Sequence, residues 1–144
     1  MTVLDANILL YAFDPSSSHH TEVRSWLEEG VLHQDRIGLT WLVLWAFVRI
    51  STNQRINRAS ASIEEAFAWI REVRDWPGAV MLEPGPRHAE ILEQLALDAQ
   101  VTGPGLTDAV LAAIAIENGA TVASTDKDFA RFDGLKWVNP LAAR

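Results

Sequence analysis

Three aspartates in this chain stand beside apolar stretches, where an ionised carboxylate is costly unless another group compensates it. They are Asp5, Asp108 and Asp126. Strand ends and helix starts on one side of an α/β sheet are where ligand sites gather, so all three could reach one cleft. Neighbouring carboxylates repel one another, and a hard divalent cation such as Mg²⁺ or Mn²⁺ is the usual remedy. The pattern predicts metal-dependent hydrolysis of a phosphodiester.

The chemistry assigns each aspartate an expected role. A bound Mg²⁺ could neutralise charge on the phosphoryl oxygens and lower the pKa of a bound water. Because Mg²⁺ takes only one or two protein carboxylates directly, we expect Asp5 and Asp108 to be its ligands. Asp126 completes the predicted catalytic set. It would bind the metal directly, bind it through a water, or act as a base. Three nearby residues could add a weaker acid or orient carboxylates and waters by hydrogen bonds: Asp128, Asn7 and Ser124.

Each aspartate also has a purely structural explanation. Asp5 and Asp108 could cap or stabilise the start of a helix, where the helix dipole favours a carboxylate. Asp126 could begin a tight turn or a short helix. Helix caps need not lie side by side, whereas metal ligands must, so their joint geometry decides between the explanations. The histidines have no metal-ligand spacing and are expected at the surface: His19, His20, His33 and His88.

Length and composition predict one domain over residues 1–144. The chain is 49% hydrophobic, enough for a full core, and its mean hydropathy is +0.04. No apolar run approaches the ~18 residues that would span a membrane, and the N-terminus lacks the basic region of a secretory signal. The absence of cysteine excludes a disulfide framework and a thiolate zinc site. These features favour a cytoplasmic protein without a membrane segment.

The charge pattern is uneven along the chain. The net charge of −7 argues against a generally basic surface that would bind nucleic acid. Between Asp35 and Glu64 there is no acid at all, and four arginines fall in or beside this stretch: Arg36, Arg49, Arg55 and Arg58. They are either an RNA-contacting patch or solvated side chains beside a buried helix. Lys127 and Arg131 add positive charge next to the third aspartate.

Short apolar runs alternate with helical segments. Strands are predicted at 2–4, 37–39, 80–82, 122–124 and 136–138. Helices are predicted at 20–29, 40–50, 62–75, 86–99 and 108–118, with 8–13 helical or irregular. Gly30 and Gly119 are the expected ends of two of these helices, and residues 41–48 are all apolar, which predicts a helix buried on most sides. The alternation predicts an α/β fold with a mostly parallel central sheet covered on both faces.

Three segments resemble the PIN-domain family, and above all its VapC-type toxins: VLDANIL at 3–9, TDAVLAAIA at 107–115 and STDKDF at 124–129. RISTN at 49–53 and LKWVNP at 135–140 are similar to one VapC subgroup. The resemblance covers essentially the whole chain. It implies a three-layer α/β/α fold, homodimerisation, a VapB-type antitoxin partner, and a Mg²⁺- or Mn²⁺-dependent endoribonuclease. By the same resemblance the expected substrate is transfer RNA and the products carry a 5′-phosphate and a 3′-hydroxyl.

One position departs from the family pattern. Most PIN domains carry a glutamate in the helix after the second strand, whereas this helix has no acid and Phe47 takes the place. One fewer carboxylate favours a single Mg²⁺ over a two-metal site. It also leaves open a catalytically weak or inactive PIN-fold module that binds RNA or a partner protein. A haloacid-dehalogenase-like phosphatase is disfavoured, because its nucleophilic aspartate needs an acid two residues later, where this chain has Asn7.

Overall fold

The central sheet of the protein, a computed structural model that describes residues 1–31, 36–56 and 60–142, is parallel throughout. Its five strands lie in the order β3-β2-β1-β4-β5. They are β1 (Thr2–Leu4), β2 (Ile37–Leu39), β3 (Ala79–Met81), β4 (Thr121–Ala123) and β5 (Lys136–Val138). The predicted α/β class with a parallel sheet is confirmed, and β3 and β4 each begin one residue earlier than predicted.

Helices connect the strands at nearly the predicted positions. They are α1 (Ala6–Phe13), α2 (His20–Trp26), α3 (Trp41–Ser51), α4 (Ile63–Arg74), α5 (His88–Asp98) and α6 (Leu106–Glu117). The Thr40 hydroxyl accepts a hydrogen bond from the Val43 amide at 3.2 Å and so caps α3. Ser62 and Glu65 form a reciprocal capping box at the start of α4, with both hydrogen bonds at 3.1 Å.

Three predicted helix boundaries are wrong. A π-helical turn, Leu27–Val31, continues past Gly30, where the sequence predicts the end of the helix. Helix α5 begins at His88 and not at Pro86. The Glu117 carboxylate accepts hydrogen bonds from the amides on either side of Pro86, at 2.8 Å each, and this holds the segment in a turn. Helix α6 begins two residues before Asp108.

The connections place helices on both faces of the sheet. Steps from β1 to β2 to β3 run in one direction along the sheet and the step from β3 to β4 runs back, so right-handed crossovers put α1–α4 on one face and α5 and α6 on the other. The packing agrees: α1 contacts α2 and α3, α3 contacts α4, and α5 contacts α6. The three-layer α/β/α fold is therefore confirmed. No helix in the described ranges is long and apolar enough to cross a membrane.

The apolar helix α3 is less buried than its sequence predicts. Phe47 is completely buried and meets the Phe13 ring edge-on, with centroids 5.3 Å apart. Trp45, however, is 64% exposed, although its run of apolar neighbours predicts a helix buried on most sides. One sheet face and two neighbouring helices cannot surround α3, so one of its sides remains at the surface. Two residues considered above, His33 and Arg58, lie outside the described part of the chain.

Candidate active site

The sheet has a topological switch point between β1 and β4, because the chain leaves β1 towards one edge and β4 towards the other. Ligands of parallel α/β folds bind in the crevice outside the carboxyl ends of such strands. Leu4 of β1 is paired with Ala123 of β4. The residues that follow them, Asp5 and Ser124, are therefore neighbours at this crevice, and Asp126 lies two residues further on.

Asp5 is both a helix cap and part of a network that joins two strands. Its Oδ1 accepts a hydrogen bond from the Ala6 amide at 2.7 Å, so the structural explanation as N-cap of α1 holds. Its Oδ2 accepts bonds from the Ser124 hydroxyl at 2.7 Å and from the Asn7 side-chain amide at 3.3 Å. Burial raises the pKa of Asp5, the bonds from Ser124 and Ala6 oppose this, and the charge of Asp126 adds to it.

Ser124 is the centre of this network, and its hydroxyl proton has one destination. Its Oγ accepts hydrogen bonds from the Asn7 side chain and from the Asp126 amide, both at 3.0 Å. Since two donors point at the oxygen, the hydroxyl donates its own proton to Asp5. The Trp137 indole donates to the Ser124 carbonyl at 3.0 Å and fixes the backbone there. Ser124 and Asn7 thus both donate hydrogen bonds to Asp5, and their role in orienting it for catalysis stays a prediction.

Asp126 also has a structural role. It is the N-cap of the short 3₁₀ helix Lys127–Arg131, and its Oδ1 accepts a bond from the Asp128 amide at 2.9 Å. This is the short helix expected in the structural explanation. Its Oδ2 makes none of the hydrogen bonds described for the rest of the site. Asp128 is exposed, and its negative charge contributes to the raised pKa of Asp108.

Asp108 lies in the first turn of α6, which precedes β4 and therefore begins at the same edge of the sheet. Burial, followed by the negative charges of Asp5 and Asp126, raises the pKa of Asp108 to about 6. A helix N-terminus normally favours a carboxylate, so burial and like charge outweigh the dipole here. Each predicted catalytic aspartate thus lies within electrostatic reach of the other two, and the structure brings the set together.

Arg131 is a positively charged side chain beside this cluster. Its Nη2 lies 3.8 Å from Oδ2 of Asp108, and the two side chains are 34% and 28% exposed. Its charge opposes the rise in the pKa of Asp108 without cancelling it. From the sequence, Arg131 is recognisable as a basic residue near Asp126. Its pairing with Asp108, 23 positions away along the chain, follows only from the fold.

The oxygen donors of this cluster suit a hard cation, with one restriction. Carboxylate oxygens are the ligands that Mg²⁺ and Mn²⁺ prefer. Burial and then repulsion by Asp5 and Asp126 raise the pKa of Asp108, and a bound cation would relieve that repulsion. In residues 1–31, 36–56 and 60–142, however, no three acidic or histidine side chains stand close enough to share one ion. Among the described residues, the chemistry of these donors therefore suits a cation held directly by at most two carboxylates and otherwise by water.

The arginines predicted to contact RNA lie elsewhere. Arg36 immediately precedes β2, so it is at the amino edge of the sheet, opposite the aspartates. Arg49 is in the last turn of α3, and Arg55 follows that helix. All three are exposed, but the structure does not bring them to the carboxylate cluster. Their contact with RNA stays a prediction.

Comparison with known proteins agrees with this geometry. The family model described as PIN domain matches residues 2–135. Ribonuclease VapC37 of Mycobacterium tuberculosis is 41% identical, with 99% of both chains covered, and Ribonuclease VapC33 of the same species is 39% identical, with 98% of this chain and 99% of the relative covered. The crystal structure of VapBC2 from Rickettsia felis bound to a promoter DNA fragment has a similar fold, with a TM-score of 0.72 at 17% identity over 96% of this chain and 97% of the other.

The chain has a five-stranded parallel sheet with acidic residues at its switch point, and the PIN-domain family model matches residues 2–135. Together these observations define the class of this protein as a PIN domain. The chain belongs to the PIN-domain family and, within it, to the VapC ribonucleases of toxin–antitoxin systems.

Proposed function

We propose that this chain is a Mg²⁺- or Mn²⁺-dependent endoribonuclease that cleaves transfer RNA as the toxin of a type II toxin–antitoxin pair. The observation that carries the metal dependence is the cluster of Asp5, Asp108 and Asp126, in which burial and then the neighbouring negative charges raise the pKa of Asp108 to about 6. The ribonuclease activity is supported by the ribonucleases VapC37 and VapC33, which are about 40% identical to this chain over nearly its whole length. The family resemblance alone supports transfer RNA as the substrate.

The residues divide the work as follows. Asp5 and Asp108 would hold the cation, which supplies charge neutralisation at the phosphate and a more acidic bound water. Ser124 and Asn7 hold Asp5 Oδ2 in a fixed direction through the bonds at 2.7 and 3.3 Å. Asp126 has Oδ1 committed to its own turn, so Oδ2 is the atom that can orient a water or accept its proton.

The test is cleavage of a transfer RNA pool by purified, antitoxin-free protein with Mg²⁺, with Mn²⁺, or with EDTA. We expect discrete fragments that disappear on chelation and in Asp5→Asn and Asp108→Asn. Asp98→Asn is the matched control, because Asp98 is exposed on α5 and contacts only Gln94 among the described hydrogen bonds. Cleavage that persists in EDTA, or that survives both substitutions, would contradict the proposal.

A second candidate is a PIN-fold module with little or no catalytic activity. It is favoured by the absence of an acid in α3 and by the absence of three converging acids in the described ranges. Folded protein that binds RNA but leaves every pool intact under all metal conditions would support it.

A VapB-type antitoxin and a homodimer complete the proposal. The similar structure from Rickettsia felis is of a VapBC complex, and an antitoxin arginine placed against the aspartates would match their charge. Exposed apolar side chains on the neighbouring helices α3 and α4 offer a surface for a second copy: Trp45, Ile63 and Phe67. Light scattering of the purified chain tests the dimer, and a monomer at all concentrations would exclude it.

A further inference from the structure

The Arg131 guanidinium is held beside the carboxylate cluster by its surroundings. It lies over the Phe132 ring, with Cζ 5.0 Å from the ring centroid. Gly105 makes room for it, because a Cβ at this position would come within 2.9 Å of Nη2. Stacking on one side and backbone on the other restrict where the guanidinium can go. A side chain on a short 3₁₀ helix is thereby aimed at the first turn of α6.

The donors of this guanidinium are largely uncommitted. Its acidic partner among the described residues is Asp108, and the 3.8 Å separation is too long for a hydrogen bond. A guanidinium carries five N–H donors in a planar fork that suits two oxygens of one phosphate. An ion pair without hydrogen bonds at a partly exposed site is weak, so little free energy holds Arg131 to Asp108.

An RNA phosphate that approaches this crevice meets mostly negative charge. The negative charges of Asp5, Asp126 and Asp128 all act on Asp108, and a cation bound by two of these four carboxylates leaves the other two uncompensated. Arg36 precedes β2 and Arg49 is in the last turn of α3, whereas Arg131 is the arginine whose charge lowers the pKa of Asp108. Arg131 is the described side chain that combines a positive charge, free donors and contact with the cluster.

We propose that Arg131 binds a non-bridging oxygen of the RNA phosphate at the carboxylate cluster, and that it exchanges its loose ion pair with Asp108 for this contact when a divalent cation binds Asp108. The inference rests on the proposed ribonuclease function. The cation would then supply positive charge to the same phosphate that the guanidinium binds, and Asp108 would keep a positive partner throughout.

The test measures binding of a short, fluorescently labelled single-stranded RNA of mixed sequence by anisotropy, with Ca²⁺ as a cation that suits oxygen ligands, across a salt series. We expect Arg131→Gln to weaken RNA binding about tenfold, as for the loss of a charge-assisted hydrogen bond. The slope of log affinity against log salt should fall by about 0.7, as for one lost contact to a single strand. Arg131→Lys keeps the charge but loses the planar set of guanidinium donors. Its RNA affinity should therefore lie between those of Arg131→Gln and the unsubstituted protein.

Arg87→Gln is the matched control, because Arg87 forms a similar loose ion pair with Glu90, at 3.6 Å, and lies near the other end of α6. Mn²⁺ titration without RNA gives a second measurement. Because Arg131→Gln removes the positive charge beside Asp108, its affinity for Mn²⁺ should be equal to or higher than that of the unsubstituted protein. Unchanged RNA affinity and salt slope in folded Arg131→Gln would overturn the inference. A fall in Mn²⁺ affinity would also overturn it, because Arg131 would then merely hold Asp108 in place.

Gel analysis of the same samples separates this inference from the proposed function. Intact RNA under Mg²⁺ together with a tenfold loss of binding in Arg131→Gln would refute the nuclease and keep the phosphate contact. Cleavage by the unsubstituted protein together with equal RNA binding in Arg131→Gln would support the nuclease and overturn the phosphate contact.

Discussion

The Ser124 hydroxyl illustrates how one buried atom controls a carboxylate. Because Oγ accepts from Asn7 and from the Asp126 amide, its proton is directed to Asp5 Oδ2, and no rotation of the hydroxyl can satisfy all three groups otherwise. The residue is completely buried, so water cannot replace it without rearrangement. The direction of Asp5 is therefore set by a residue 119 positions away along the chain.

Ser124→Ala should destabilise the protein by about 1–3 kcal/mol, because it leaves a buried acceptor and two donors without their partner. It should also weaken Mn²⁺ binding, since Asp5 loses the bond that orients it. Urea unfolding and Mn²⁺ titration measure the two effects. Ser16→Ala is the control: its hydroxyl donates to Asp14 at the same 2.7 Å but is exposed, so we expect a change below about 0.5 kcal/mol. Equal effects of the two substitutions would contradict the role of Ser124.

Asp108 should make stability depend on pH when no divalent cation is present. Its pKa is about 6 in the folded protein against an ordinary value of 3.8, so the folded state binds the proton more tightly. This group therefore lowers stability above about pH 6, and the penalty disappears as the pH falls towards 4. The rise in the pKa of Asp108 from 3.8 to about 6 corresponds to a loss in the free energy of unfolding of at most about 3 kcal/mol.

We expect Asp108→Asn to be more stable than the unsubstituted protein at about pH 8 in EDTA, by about 1–3 kcal/mol, and equal to it near pH 4. Urea unfolding across this range measures the difference, with Asp98→Asn as a control that should track the unsubstituted protein. A stability difference independent of pH would show that Asp108 does not titrate as described.

At this scale the sequence predicted the important residue types and missed their partners. Asp5, Asp108 and Asp126 stand out because acids beside apolar runs need an explanation. The structural explanations of Asp5 and Asp126 hold, since Oδ1 of each accepts a hydrogen bond at the start of a helix, and their catalytic roles stay predictions. The pairing of Arg131 with Asp108 could not be predicted, because local spacing carries no information on contacts between a helix start and a distant 3₁₀ turn.

Among the elements, the segment between β3 and α5 depends on one distant carboxylate. Glu117, at the end of α6, accepts bonds from the Gly85 and Arg87 amides at 2.8 Å each. Gly85 is needed for this contact, since a Cβ there would lie 2.5 Å from the Glu117 carboxylate. Pro86 at a favourable helix-starting position predicts an earlier helix, and this long-range bond explains why that prediction is wrong.

Glu117→Gln should destabilise the protein by about 1–3 kcal/mol, because an amide has a single acceptor oxygen and one backbone donor loses its charged partner. Thermal or urea unfolding measures the change, and Gly85→Ala should act in the same direction by displacing the carboxylate. Glu90→Gln is the control, because Glu90 is exposed and its ion pair with Arg87 is 3.6 Å long. RNA cleavage should keep its metal dependence in Glu117→Gln, since the contact lies at the other end of α6 from Asp108.

For the molecule as a whole, topology is what turns separate residues into a site. The alternation of strands and helices predicts a parallel sheet, and the sheet order then places the ends of β1 and β4 side by side. The sequence could not give that order, because right-handed crossovers are compatible with several strand arrangements. The convergence of Asp5, Ser124 and Asp126 is a consequence of the switch point rather than of any one motif.

Cation binding should therefore stabilise the entire fold, because its ligands come from parts of the chain that meet only when the sheet is formed. At a Mn²⁺ concentration ten times its dissociation constant, the free energy of unfolding should rise by about 1.4 kcal/mol. Asp5→Asn and Asp108→Asn should lose this increment, whereas Asp98→Asn should keep it. Urea unfolding with Mn²⁺ and with EDTA measures each value. An equal rise in all four proteins would place the bound ion away from the switch point, because an ion held by Asp5 and Asp108 cannot stabilise variants that lack either carboxylate to the same extent.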